Sequence, residues 1–310
     1  MLSRIAESLY WIGRYIERAE DTARLLDVHY HLLLEDRRAD EASVCRALLD
    51  AMGAGVDVAG PQPDAATVTA VLAQDLTFSG SITCSIASAW ENARGAREAL
   101  SSELWETLNT AHREVIRRTR AVSGPERHEF FAWVRDRAAA CNGIVDATMS
   151  RDDGWRFYSI GRSLERADMT TRLLCARYAD AFERSGWTTT LRSCSAYESY
   201  LRTYRHAVDA ASALEFLLLD RLFPRSVYHA LTTAELSLDG LDPRSARAGV
   251  DDEARRRLGR LRSELEFLHL DEAMENLPGL LERLQHECAE VHAAIAVRYF
   301  RETRVIEWSV

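Results

Sequence analysis

The sequence contains no lysine; all 39 of its basic residues are arginine. That excludes a Schiff-base lysine, a P-loop lysine and a lysine general base. Two causes fit the absence. A GC-rich genome depletes lysine codons, and a protein working beside enzymes that join amines to carboxylates escapes modification if it offers no lysine. Turn formers are scarce too, with 6 Pro and 15 Gly in 310 residues. No Cys-x-x-Cys pair occurs among Cys45, Cys84, Cys141, Cys175, Cys194 and Cys288, so the thiols read as small buried hydrophobes in a reducing compartment. No apolar run reaches the roughly 18 residues of a membrane span, and no membrane segment is expected. The net charge is −9 and the longest basic run is Arg255-Arg256-Arg257, a poor match to nucleic acid, which rewards clustered positive charge. An acid as early as Glu7 argues against a signal peptide, and a cytoplasmic location is expected.

What is abundant is Ala, Leu, Arg and Glu, all strong helix formers. Apolar residues recur at helical period, and period-two alternation is lacking. The pattern predicts helices near 3–35, 41–52, 67–76, 80–100, 102–122 and 126–149. A second set follows near 155–184, 191–222, 226–238, 251–266 and 270–302. Residues 54–66 and 240–252 read as the long loops. The fold class is all-α, a multi-helix bundle.

Residues 10–30 and 158–178 align without gaps at an offset of 148, with 12 of 21 positions identical. A fainter match at offset 145 sets Asp75, Phe78 and Ser81 against Asp220, Phe223 and Ser226. Two copies at this spacing indicate a tandem duplication of a helical unit of roughly 150 residues, spanning 1–150 and 151–310 and packed as one body, not a solenoid.

At 100° per residue the repeated helix carries three stripes. The apolar stripe is Ile12, Ala19, Ala23, Leu26 and Tyr30, matched by Ile160, Ala167, Leu174 and Tyr178. The second is Gly13, Glu17, Glu20 and Arg24, matched by Gly161, Glu165, Asp168 and Arg172. The third is Arg14 and Arg18, matched by Arg162 and Arg166. Glycine inside a helix costs about 1 kcal/mol relative to alanine, so both copies imply close approach of a backbone or a ligand. Two arginines one turn apart repel unless they meet acids on other helices, and Glu91, Glu98, Glu103 and Glu106 are the candidates. Two readings follow. The charges form a buried ion-pair lattice that fixes helix register, or they line a polar cleft that receives a carboxylate, a phosphate or a partner protein.

Other chemistry finds little support. A di-metal bundle needs Glu-x-x-His pairs, and the motif has none. Asp27, His29 and His31 lie two apart, which points them in different directions. Cys288 follows His286 by two, a poor geometry for a nucleophile pair. Neither glycine-rich phosphate motif occurs, so no cofactor and no metal is expected. Most Trp and Tyr read as core.

The motifs together resemble the alpha-E family of bacterial helical proteins, named for a Glu-Arg motif. The resemblance rests on Leu9-Tyr10-Trp11, on Gly13-Arg14 with Glu17-Arg18-Ala19-Glu20, and on Glu91-Asn92-Ala93-Arg94. It continues through Met149-Ser150-Arg151-Asp152-Asp153-Gly154-Trp155, Gly161-Arg162 with Glu165-Arg166-Ala167-Asp168, and Phe223-Pro224-Arg225-Ser226. It covers essentially the whole chain. One departure is Phe78-Ser79-Gly80-Ser81, where the family pattern has Asn-Pro before the serine. The resemblance implies an association with a circularly permuted ATP-grasp protein and a transglutaminase-like protein, in a system that makes or modifies a peptide. The chain is then a non-catalytic helical partner or scaffold. The alternative is an enzyme or small-molecule binder whose Arg/Glu stripes hold an acidic peptide or nucleotide. Neither reading excludes a homo-oligomer.

Overall fold

The computed structural model describes residues 1–35, 40–54, 62–119, 122, 126–178, 186–241 and 249–300. Every regular element among them is helical. In chain order the α-helices among them are α1 (Ser3–Glu35), α2 (Glu41–Ala51), α3 (Ala65–Thr69), α4 (Ile82–Gly95), α5 (Ser102–Thr119), α6 (Glu126–Thr148) and α7 (Asp153–Tyr178). There follow α8 (Gly186–Ser193), α9 (Tyr197–Tyr204), α10 (Ala210–Leu219), α11 (Val227–Leu241), α12 (Glu253–Phe267), α13 (Leu270–Glu275) and α14 (Leu277–Ile295).

Two four-helix rings result. Helix α1 packs on α4 and α6, and α5 closes the ring between them. Helix α7 packs on α11 and α14, and α12 closes that ring. The most extensive interface of all lies between α1 and α7. These two helices are buried on most of their circumference, which is why polar residues in them must find internal partners.

Several expected boundaries shift for visible reasons. The helix expected over 191–222 is three helices, because Ser195 and Arg205 take left-handed backbone angles (φ 55° and 57°) and Asp209 then caps a new start by accepting from the Ser212 N–H. The helix expected over 270–302 breaks at Asn276, whose φ and ψ of −144° and 53° are not helical, and Pro278 then fits the first turn of α14. Gly240, expected in a loop, lies inside α11; 242–248 and 55–61 fall outside the described residues. Despite its departure from the family pattern, Ser81 still caps α4, its hydroxyl accepting from the Cys84 N–H. Tyr178, assigned to the apolar stripe, ends α7 half exposed. Four of the six cysteines are buried and two are half-buried, all free thiols.

Candidate functional site

The two motif glycines mark where α1 and α7 touch. A Cβ on Gly13 would stand 2.3 Å from the Tyr158 carbonyl oxygen, and one on Gly161 would stand 2.0 Å from that of Tyr10. Each helix therefore lays a carbonyl into the other's glycine notch. Of the two uses open to these glycines, backbone approach is the one realised.

That contact carries the charged stripes past one another. Arg14 Nε donates to Glu165 Oε2 at 2.6 Å, and Arg18 forks onto the same carboxylate at 2.5 and 3.0 Å. In the opposite direction Arg166 Nε donates to Glu17 Oε1 at 2.6 Å. Glu165 thus receives both arginines of the other motif, and Glu17 receives one of its two. The acids expected as partners are elsewhere: Glu98, Glu103 and Glu106 are exposed, and Glu91 pairs with Arg94 at 2.8 Å on the surface. That expectation is corrected, and the cause is geometric. The candidate acids lie on neighbouring helices of the same half, whereas α7 runs across α1 and supplies its own. The tyrosines cross in the same way, Tyr10 to His292 Nδ1 at 2.9 Å and Tyr158 to Asn142 Oδ1 at 2.7 Å.

Burial alone would raise the Glu165 carboxyl, but Arg14 and then Arg18 outweigh it and hold it at about 2. The pair Glu20–Arg24 forms at 2.8 Å and Asp168–Arg172 at 2.8 Å, as their spacing requires. Arg162 departs from its counterpart: it faces Asn142 at 3.3 Å and Asp146 at 3.7 Å rather than Glu17.

A residue outside the singled-out set takes the vacated place. Arg225, 8% exposed, reaches Glu17 at 2.8 Å, Glu20 at 2.7 Å and, closer still, Asp21. Burial, then the adjoining Glu17 and Glu20, raise the Asp21 carboxyl to about 8, against the pull of Arg225. The signal was in the Phe223-Pro224-Arg225-Ser226 segment, but nothing local shows where its arginine points. The matching position in the first half is Gly80. Beside it opens a cavity of about 280 Å³ bordered by Arg18, Glu165, Asp168, Arg172 and Phe78.

Away from this centre, Asp27, His31 and His128 bring three donor atoms within 4.8 Å of one another, a set that suits a transition metal. Asp27 and His31 face each other at i,i+4, contrary to the expected divergence, while His29 is buried and turned to its own helix. His128 comes from α6 and was not foreseen. The second oxygen of Asp27 already holds Arg135 at 2.9 Å, and that cation competes with a metal.

The family model described as a predicted alpha-helical domain with a conserved ER motif matches residues 1–300. The chain belongs to the Alpha-E family. Similar curated proteins include an uncharacterised protein of Mycobacterium bovis and two of Mycobacterium tuberculosis, each 28% identical over 321 residues. Those alignments cover 94% of this chain and 35% of each relative, so the Alpha-E chain spans about a third of the length of the curated relatives it matches. No solved structure matches it. No helix among the described residues is long and apolar enough to cross a membrane.

Proposed function

We propose that this Alpha-E protein is a non-catalytic helical partner that docks on a circularly permuted ATP-grasp ligase in a peptide synthesis or modification system. The carrying observation is the fate of the motif charges. Arg14, Arg18 and Arg166 hold carboxylates across the crossing, and Arg24 and Arg172 hold acids of their own helices, so the Glu-Arg motif is used largely to fasten α1 to α7. The additional length of the mycobacterial relatives supports a module that works joined to other chain. The matched contacts of the two halves support descent from one duplicated unit. The alternative, in which the stripes themselves grip an acidic peptide or nucleotide, loses most of its donors to these pairs.

Co-expression with a circularly permuted ATP-grasp protein from the same genome tests the proposal. The expected result is a complex that survives size-exclusion chromatography and a changed rate of ATP consumption by the ligase. Separate elution of the two proteins, with an unchanged rate, rejects it.

A further inference from the structure

We infer that the cavity beside Gly80 is a binding site for a small monocarboxylate with an apolar body. The inference comes from comparing sequence-matched positions in the two halves, and it stands whether or not the ATP-grasp partner exists.

The backbones at the two positions are held alike. Thr22 Oγ1 donates to the Gly80 carbonyl at 3.2 Å, and its counterpart Thr170 Oγ1 donates to the Arg225 carbonyl at 2.9 Å. Upstream, Asp75 and Asp220 each accept a backbone N–H, from Thr77 at 2.7 Å and Leu222 at 2.8 Å. The loops thus present residues 80 and 225 in equivalent fashion. In one half a guanidinium fills the space in front of the motif acids; in the other the side chain is missing and the space is open.

Two further exchanges set the open half apart. Asp21, the third carboxyl around Arg225, is replaced by Met169 in the open half. Arg14 also reaches Glu165 there, whereas its counterpart Arg162 turns away from Glu17. Among the described residues, Arg18 and Arg172 at the cavity wall, with Arg14 on Glu165 outside it, meet two carboxylates, Glu165 and Asp168. Both Glu165 oxygens are already occupied by guanidinium N–H groups, so the carboxylate has little left to offer a cation. Arg172 uses its Nε on Asp168, and its side chain is 38% exposed at the cavity edge. Its terminal nitrogens form a planar fork suited to a carboxylate.

The surplus is one positive charge, which a single carboxylate neutralises and a phosphate dianion overshoots. Phe78, Met52 and Met169 supply the apolar part of the wall. The volume of about 280 Å³ lies just under the usual lower bound of small-molecule pockets, which limits the ligand to a compact body.

Calorimetric titration of the full chain with sodium hexanoate tests this, with hexylammonium chloride and sodium phosphate as comparisons. Hexanoate is expected to bind saturably at one site, and the other two are not. Arg172→Gln is expected to weaken hexanoate about tenfold or more, since a hydrogen bond to a charged group contributes at least that factor. The pair Gly80→Arg with Met169→Asp rebuilds the filled arrangement of the other half and is expected to abolish binding while the thermal melt is kept. A Cβ at position 80 would meet the edge of the Phe78 ring, a side chain that can swing aside. If that pair fails to fold, Arg172→Gln decides alone, because among the described residues Arg172 pairs with an acid of its own helix. No saturable hexanoate binding, undiminished affinity in Arg172→Gln, or preference for hexylammonium or phosphate overturns the inference.

Discussion

Helices α1 and α7 share twelve of 21 motif residues, and they cross reciprocally, yet the two acid clusters they build end differently. Around Glu17 a loop arginine, Arg225, is driven into a dry pocket between three carboxyls. Around Glu165 the matching loop of the other half contributes a glycine, a methionine stands in the place of the third acid, and a cavity remains. The shared glycines and glutamates are residues the crossing needs. Two of the differences, Gly80 against Arg225 and Met169 against Asp21, face the space in front of it. A motif can therefore be fixed by packing while its surroundings are free to diverge toward a ligand.

The strongest break of the comparison is expected at the crossing itself. Gly13→Ala and Gly161→Ala each drive a methyl into a backbone carbonyl that cannot move alone, and each is expected to cost on the order of 4 kcal/mol or more in urea unfolding, despite alanine's better helix propensity. Equal losses confirm that the notches are equivalent. A net gain at either position contradicts the close approach.

Arg225→Ala leaves Glu17, Glu20 and Asp21 facing one another in a buried space. It is expected to cost about 3–5 kcal/mol, whereas Arg172→Ala, which loses a half-exposed i,i+4 pair, is expected to cost below about 1 kcal/mol. Chemical denaturation of the two variants side by side measures the asymmetry, and similar losses would erase it.

Acid and alkali separate the halves again. The Glu165 carboxyl sits at about 2, below its ordinary 4.5, so its contribution is present above about pH 4.5 and is lost as pH falls toward 2. Near neutrality that contribution is about 3 kcal/mol, and Glu165→Gln removes it. Asp21 sits at about 8, above its ordinary 3.8, so its contribution is present below pH 3.8 and is lost as pH rises through 8. Melting temperature against pH is expected to lose its acid limb in Glu165→Gln and to flatten on the alkaline side in Asp21→Asn. A single shared pH dependence in the two variants would contradict the separation.

Composition and period settled the all-helical class, and the apolar stripe marked residues that lie buried, Tyr30 and Tyr178 excepted. The 3.6-residue period acts within one helix and needs no neighbour to be read. The interior glycines even announced a close approach, because their cost in a helix demands a return. The sequence could not name what approaches. The partners of Arg14, Arg18 and Arg166 lie 147 to 151 residues away on the crossing helix, and such pairings follow from how two bundles dock, not from any local spacing. The role of Arg225 was hidden for the same reason, since a loop residue's direction is set by the backbone that holds it. The open space at Gly80 exists only as a difference between two folded halves: a missing side chain is visible in a sequence, but whether anything else fills its volume is decided by packing alone.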